Sequence, residues 1–162
     1  MSYANDMTSR PADRAGGDEA VGDLDPAVLA ADLRVALMRA ARRIRGEKAD
    51  LDLSDGQLSV LAVLHRTGPL TNRELADFEH VQPPSMTRTL ACLEERALVT
   101  RTPHPADGRQ LLVTLTEDGR ATVLDTRRRR DAWLTRRLDQ LDPDERAVLA
   151  RAGAILRRIA DS

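Results

Sequence analysis

The chain has 162 residues, a 41% hydrophobic and 2% aromatic composition, and a formal net charge of −1. That length suits one compact domain with a real core, and with so few aromatics the core must be Leu, Val, Ala and Ile, which favours helices over a β-sandwich. The single cysteine, Cys92, excludes an intramolecular disulfide. No apolar run reaches the length of a membrane span and no secretory h-region opens the chain, so a cytoplasmic protein without a membrane partner is expected.

The charge is unevenly spread. Residues 1–25 hold two Arg against six acids, whereas residues 82–137 hold eleven Arg against seven acids. A local basic field can act on a polyanion even when the sum is near zero.

Residues 1–24 are rich in Asp, Gly, Ala and Ser and lack apolar periodicity, so they are expected to form a disordered acidic tail. Asp25-Pro26 reads as an N-cap followed by Pro at the first helical position. The helix it opens should run to about Gly46, with Leu29, Leu33, Leu37, Ala40 and Ile44 forming one stripe. Ser54 and Gln57 form a capping-box pattern before a second helix, whose Leu58, Leu61, Ala62 and His65 share a face. Gly68-Pro69 stops it. Thr71 and Glu74 are a second capping box, opening a short helix with Leu75, Ala76 and Phe78 turned inward.

The next helix follows Gln82-Pro83-Pro84 and has two chemically different faces. Met86, Leu90, Leu93 and Ala97 form a narrow apolar arc at 100° per residue. Arg88 lies opposite, with Pro84, Ser85, Cys92 and Glu95 nearby. A small, hydroxylated, singly basic face is what a helix needs to enter the major groove and reach base edges. Taken alone, it is equally an ordinary amphipathic surface helix.

Two strands, over residues 98–102 and 110–115, then predict a hairpin. Asp107-Gly108 is placed to make its turn, which would put Arg109 near the tip. An Arg on a narrow hairpin can enter the minor groove, and Asp107 is expected to hold that guanidinium. Thr116 caps a long helix over residues 117–141, and Asp142-Pro143-Asp144-Glu145 opens the last, with Leu149, Ala152, Ile155, Leu156 and Ile159 as its stripe.

The predicted fold is mainly α with a small β-hairpin wing: a winged helix-turn-helix domain plus terminal dimerisation helices. Residues 53–120 resemble the MarR family of transcriptional regulators. The motifs that carry the resemblance are Thr87-Arg88, Leu93-Glu94, Asp107-Gly108-Arg109 and Leu115-Thr116 with Gly119. The flanking helices extend the likeness over residues 25–161. One departure is Ala97, where the family often has Gly. If the backbone there needs positive φ, Ala costs on the order of 1 kcal/mol.

The resemblance implies a homodimer, joined by helices in residues 25–48 and 117–161, that reads a palindromic operator in double-stranded DNA. The terminal stripes support this independently, because no third layer within one chain is available to cover them. Gln82, Ser85 and Arg88 are then expected in the major groove and Thr87 on a flanking phosphate. Arg109, oriented by Asp107, is expected in the minor groove. Thr71 and Asn72 would present backbone donors to a phosphate. The resemblance further implies a repressor released by a small lipophilic or phenolic effector, with Trp133 a candidate for the pocket wall.

Other residues carry less. The Arg127–130 run with Arg136 and Arg137 points to several sides of one helix, so ion pairs to acids of the terminal helices are expected. Cys92, on the outward side of its helix near Arg88 and Arg96, leaves a redox-sensing regulator as an alternative. A winged-helix interaction module without DNA binding is another. His65, His80 and His104 lack ligand spacing, although His104 could reach a phosphate from the wing. No Gly-rich phosphate loop or nucleophile–base pair is present, so neither enzyme activity nor a cofactor or metal is expected.

Overall fold

The structure is a computed structural model that describes residues 25–49 and 52–161. The acidic tail expected over residues 1–24 lies outside the described residues. The described residues divide into two units, 25–37 and 38–161. The division falls within the first helix, α1 (Pro26–Arg45). The remaining elements are α2 (Asp55–Thr67), β1 (Leu70–Thr71), α3 (Asn72–Phe78), α4 (Pro83–Glu95), β2 (Val99–His104), β3 (Asp107–Leu115), α5 (Glu117–Leu138) and α6 (Pro143–Ala160).

Local chemistry sets the helix starts. The Ser54 hydroxyl accepts the Gln57 N–H at 3.1 Å while Gln57 Oε1 accepts the Ser54 N–H at 2.8 Å. Thr71 with Glu74 and Asp142 with Glu145 close the same reciprocal box. Each box satisfies two backbone groups that a helix start otherwise leaves unpaired. At α5 only the Thr116 hydroxyl caps, accepting the Gly119 N–H at 3.0 Å and donating to the Ala97 carbonyl at 2.7 Å.

Ala97 has φ of 56°, the left-handed conformation its sequence position suggested. It ends the turn after α4, one residue before the buried Leu98 and Val99. Gly119 is fixed by close approach, since a Cβ there would run into the Leu98 carbonyl oxygen. These contacts weld the start of α5 to the root of the wing.

The sheet order is β1-β3-β2, all antiparallel. Strand β1, with Leu70 opposite Val113 and Thr71 opposite Leu112, was not legible in the sequence because two residues are too short to alternate. The hairpin is longer than expected: its turn falls at Pro105-Ala106, and Asp107-Gly108 begin β3 instead of making the turn. Helix α5 ends at Leu138, about a turn earlier than expected.

The core lies in the unit of residues 38–161. Leu53, Leu61, Leu75, Met86, Leu90, Leu93, Val60 and Val113 are its most deeply buried large side chains. Phe78, expected inward, is 49% exposed, and Ala62 is exposed as well. The segment after α1 is tied to this core. Lys48 Nζ donates to the Leu53 carbonyl at 2.8 Å, and the Ala49 N–H to the buried Thr126 hydroxyl at 3.2 Å. Helices α1 and α6 contain no buried residue at all.

Candidate nucleic-acid interface

Helix α4 buries Met86, Leu90 and Leu93 and leaves its first turns open. Pro83 and Pro84 occupy the first two helical positions, where a missing N–H is harmless. Gln82 stands at the N-cap without spending its side chain on capping, so the amide is available for another partner. Gln82, Ser85 and Arg88 are all exposed. Arg88 makes no ion pair among the described residues. This face offers an amide, a hydroxyl and a guanidinium, a donor and acceptor set suited to base edges.

Thr87 has a different task from the one expected. Its hydroxyl donates to the Pro83 carbonyl at 3.0 Å and accepts the Asn72 Nδ2 at 3.0 Å. In this arrangement its proton is given to Pro83 and not held out for a phosphate. It instead ties the start of α3 to the start of α4. Thr71 is occupied in the same way: its N–H and hydroxyl both reach Glu74 Oε2 at 2.8 Å. These two bonds, backbone first, hold the Glu74 carboxyl below its ordinary range.

In the wing, Asp107 is a backbone organiser and does not clamp the Arg109 guanidinium. Its Oδ1 accepts the Arg109 main-chain N–H at 3.1 Å, and its Oδ2 accepts Gln110 Nε2 at 2.9 Å. The Gln110 amide is the first cause, and the Arg109 N–H the second, of a lowered Asp107 pKa. Arg109 remains exposed on β3. His104 Nδ1 accepts the Ala106 N–H at 3.1 Å, so the imidazole also shapes the turn, with only its other nitrogen left to reach outward.

Three other expectations change. Cys92 is half-buried, and Gln57 Nε2 donates to its Sγ at 3.0 Å, so the thiol faces α2 and not open solvent. Two residues of the arginine run pair within their own helix: Arg128 and Arg129 meet Asp125 at 2.9 and 2.8 Å. Those pairs, Arg129 first, lower the Asp125 pKa and raise that of Arg129. Trp133 is half-buried with the Arg137 guanidinium 5.4 Å from its ring centroid.

Residues 53–111 match the MarR family. An HTH-type transcriptional regulator of Mycobacterium leprae is 42% identical over 82% of this chain and 93% of its own length. The chain belongs to the MarR family. A solved transcriptional regulator from Pseudomonas aeruginosa superposes with a TM-score of 0.76 at 35% identity, covering 84% of this chain and 96% of that one. A structure of Staphylococcus aureus MepR bound to an oligodeoxyribonucleotide shares the fold, with a TM-score of 0.63 at 21% identity over 81% of this chain and 97% of the other.

This MarR-family chain is therefore a DNA-binding transcriptional regulator of the helix-turn-helix class and not an enzyme. In it, α3 and α4 form the helix-turn-helix, and β2 and β3 form the wing. Among the described residues no helix is long and apolar enough to cross a membrane. No group of three or more His, Cys, Asp or Glu among them could hold a metal ion.

Proposed function

We propose that this regulator works in the cytoplasm as a homodimer that represses transcription by occupying a palindromic operator, and that a small lipophilic or phenolic ligand releases it. The observation that carries the reading is the contrast on one chain between a filled winged core and two terminal helices without a buried residue. Leu29, Leu33 and Leu37 of α1 and Val148, Leu149, Ile155 and Ile159 of α6 are all exposed. Apolar stripes of that extent favour a second copy as their cover. In this reading residues 53–120 read DNA, and residues 25–48 and 117–161 join two such readers within a domain spanning 25–161.

Gln82, Ser85 and Arg88 read the major groove. Arg109 enters the minor groove from a strand whose backbone Asp107 sets. The first turn of α3, with Thr71 and Asn72, approaches the phosphates, and Thr87 holds that turn against the reading helix. A MepR neighbour bound to an oligodeoxyribonucleotide supports this use of the fold. A dimer seated on an operator excludes other proteins from it, which is repression by occupancy.

A cavity of about 260 Å³ is lined by Ile44, Leu58, Ala62, Val123, Thr126 and Arg130, among others, and Trp133 is not one of its walls. It joins the end of α1 to α2 and α5, the segments that would set the spacing of two readers. A ligand there releases DNA only through tighter binding to a dimer whose helices no longer match the groove spacing.

Selection of bound duplexes from random DNA tests the reading. Enrichment of an inverted repeat is expected, with half-sites about one helical turn or a multiple of it apart. Failure to enrich any duplex would favour a winged-helix docking module that binds protein.

A further inference from the structure

The cleft between the start of α3 and the wing holds more positive charge than the groove-reading residues use. It has a volume of about 490 Å³, and its walls include Asn72 and Arg73 of α3, Leu90 of α4, Arg101 of β2, and Arg109 and Gln110 of β3. Three guanidinium groups line it and no carboxylate does. Three cations around one cleft repel each other, and an anion placed between them removes that cost.

Arg101 is the best-positioned of the three. Its Nε lies 3.2 Å from Glu94 Oε2 on α4, and its side chain is 27% exposed. A guanidinium held along its Nε edge keeps its Nη donors for a second partner. Partial burial strengthens what those donors can do, because water screens them less. One polar atom on the walls, Asn72 Oδ1, is buried without a hydrogen-bond partner. Buried polar atoms are normally paired, so Oδ1 is left for a donor such as a guanidinium drawn into the cleft.

Asn72 links the cleft to the recognition helix. The Thr87 hydroxyl gives its proton to Pro83, so it must accept from Asn72 Nδ2. That fixes the amide and leaves Oδ1 as an acceptor beside the cleft's guanidinium groups. An anion that draws a guanidinium inward also brings it a donor for Asn72 Oδ1. Through Thr87, that contact braces the start of α4.

We propose that this cleft seats one phosphate of the DNA backbone, gripped by Arg101 and Arg73, and that Asn72 transmits the grip to α4 as a positioning residue. The inference rests on the DNA-reading function proposed above and adds Arg73 and Arg101 to its contacts. A phosphate contact carries no base information; it fixes register and contributes to affinity on any duplex.

The test uses the full chain and measures Kd against salt on the selected operator and on an unrelated duplex. Arg101→Gln should weaken binding to both about tenfold, the scale of one charge-assisted bond. It should also flatten the log–log salt slope by about 0.9, one phosphate's worth. The operator preference should stay unchanged, whereas Arg88→Ala should reduce it. Arg101→Lys should recover most of the slope. Arg73→Gln, on the exposed surface of α3, should show a smaller loss of the same kind and carries the test if Arg101→Gln melts early. Wild-type slopes in both Gln variants would overturn the phosphate seat while leaving DNA reading intact. Inorganic phosphate titrated into the DNA-free protein separates the sources: binding lost in Arg101→Gln with an unchanged DNA slope assigns the cleft to a free anion and overturns the proposal. If wild-type protein binds no duplex in a salt-dependent way, the DNA-reading proposal fails, and this one with it.

Discussion

The winged core and the terminal helices are written in the same residues but end in opposite environments. Leu61, Leu75 and Leu93 are fully buried, whereas Val148 is 59% and Ile159 62% exposed. Both regions show apolar residues at spacings of three and four. An apolar stripe shows that a helix has a partner; it does not show on which chain that partner sits. In the core, α2, α3, α4 and the sheet supply each other's cover within residues 55–115. The terminal stripes stay exposed, and that difference is the physical case for a second copy.

The largest effect expected from breaking this contrast is Leu93→Ala. It should destabilise the protein by about 2–5 kcal/mol, the cost of a buried Leu cavity, and a thermal melt should show that loss at every protein concentration. Ile159→Glu should do the reverse. It should leave the winged core folded but shift sedimentation toward the monomer, with a loss that higher concentration recovers. If Ile159→Glu leaves the oligomeric state unchanged, the apolar face of α6 is not a subunit contact.

Next in size is the reading helix. Arg88→Ala should cost about 1–3 kcal/mol on the preferred operator and relax base preference beside it. Arg109→Ala should weaken binding with a smaller effect on major-groove discrimination. Competition binding against single-base variants measures both, and unchanged profiles in both mutants would remove these residues from the interface.

A smaller change sharpens the hinge between core and wing. Ala97 sits at φ of 56°, so Ala97→Gly should stabilise the fold by about 0.5–1 kcal/mol by relieving left-handed strain. Denaturant unfolding reads this directly, and a destabilised variant would argue that the Ala97 methyl packs usefully.

The smallest effect is the α3 cap. The Glu74 pKa is lowered chiefly by the Thr71 N–H. Its contribution is therefore present above the ordinary carboxylate range and lost as pH falls through the lowered folded value. Melting temperatures of wild type and Glu74→Gln should differ near neutral pH and converge in acid. A gap that widened in acid would reverse the sign of this linkage.

Much of the fold was legible because local chemistry announces it. The capping residues Ser54, Thr71, Thr116 and Asp142 each mark a helix start in the sequence and cap it in the structure. Side-chain commitments were harder to read. Thr87 and Asp107 both look like ligand residues by position, yet one braces α3 on α4 and the other organises the wing backbone. Cys92 looked outward on a helical wheel because the wheel does not show that Gln57 of α2 reaches its sulfur. Arg101 was missed for a related reason. Nothing local to a strand arginine reveals the cleft that the α3 start and the wing build around it. Its spacing from Glu94, on the adjoining helix, was the one available signal.

In the proposed assembly two copies of this chain, joined through α1 and α6, read DNA together. Sedimentation of the protein with a short duplex carrying the selected operator tests that most directly. Two chains per duplex are expected, with Ile159→Glu reducing the complex to weak, stepwise binding. One chain per duplex, bound as tightly by Ile159→Glu as by wild type, would mean that a single chain reads DNA alone.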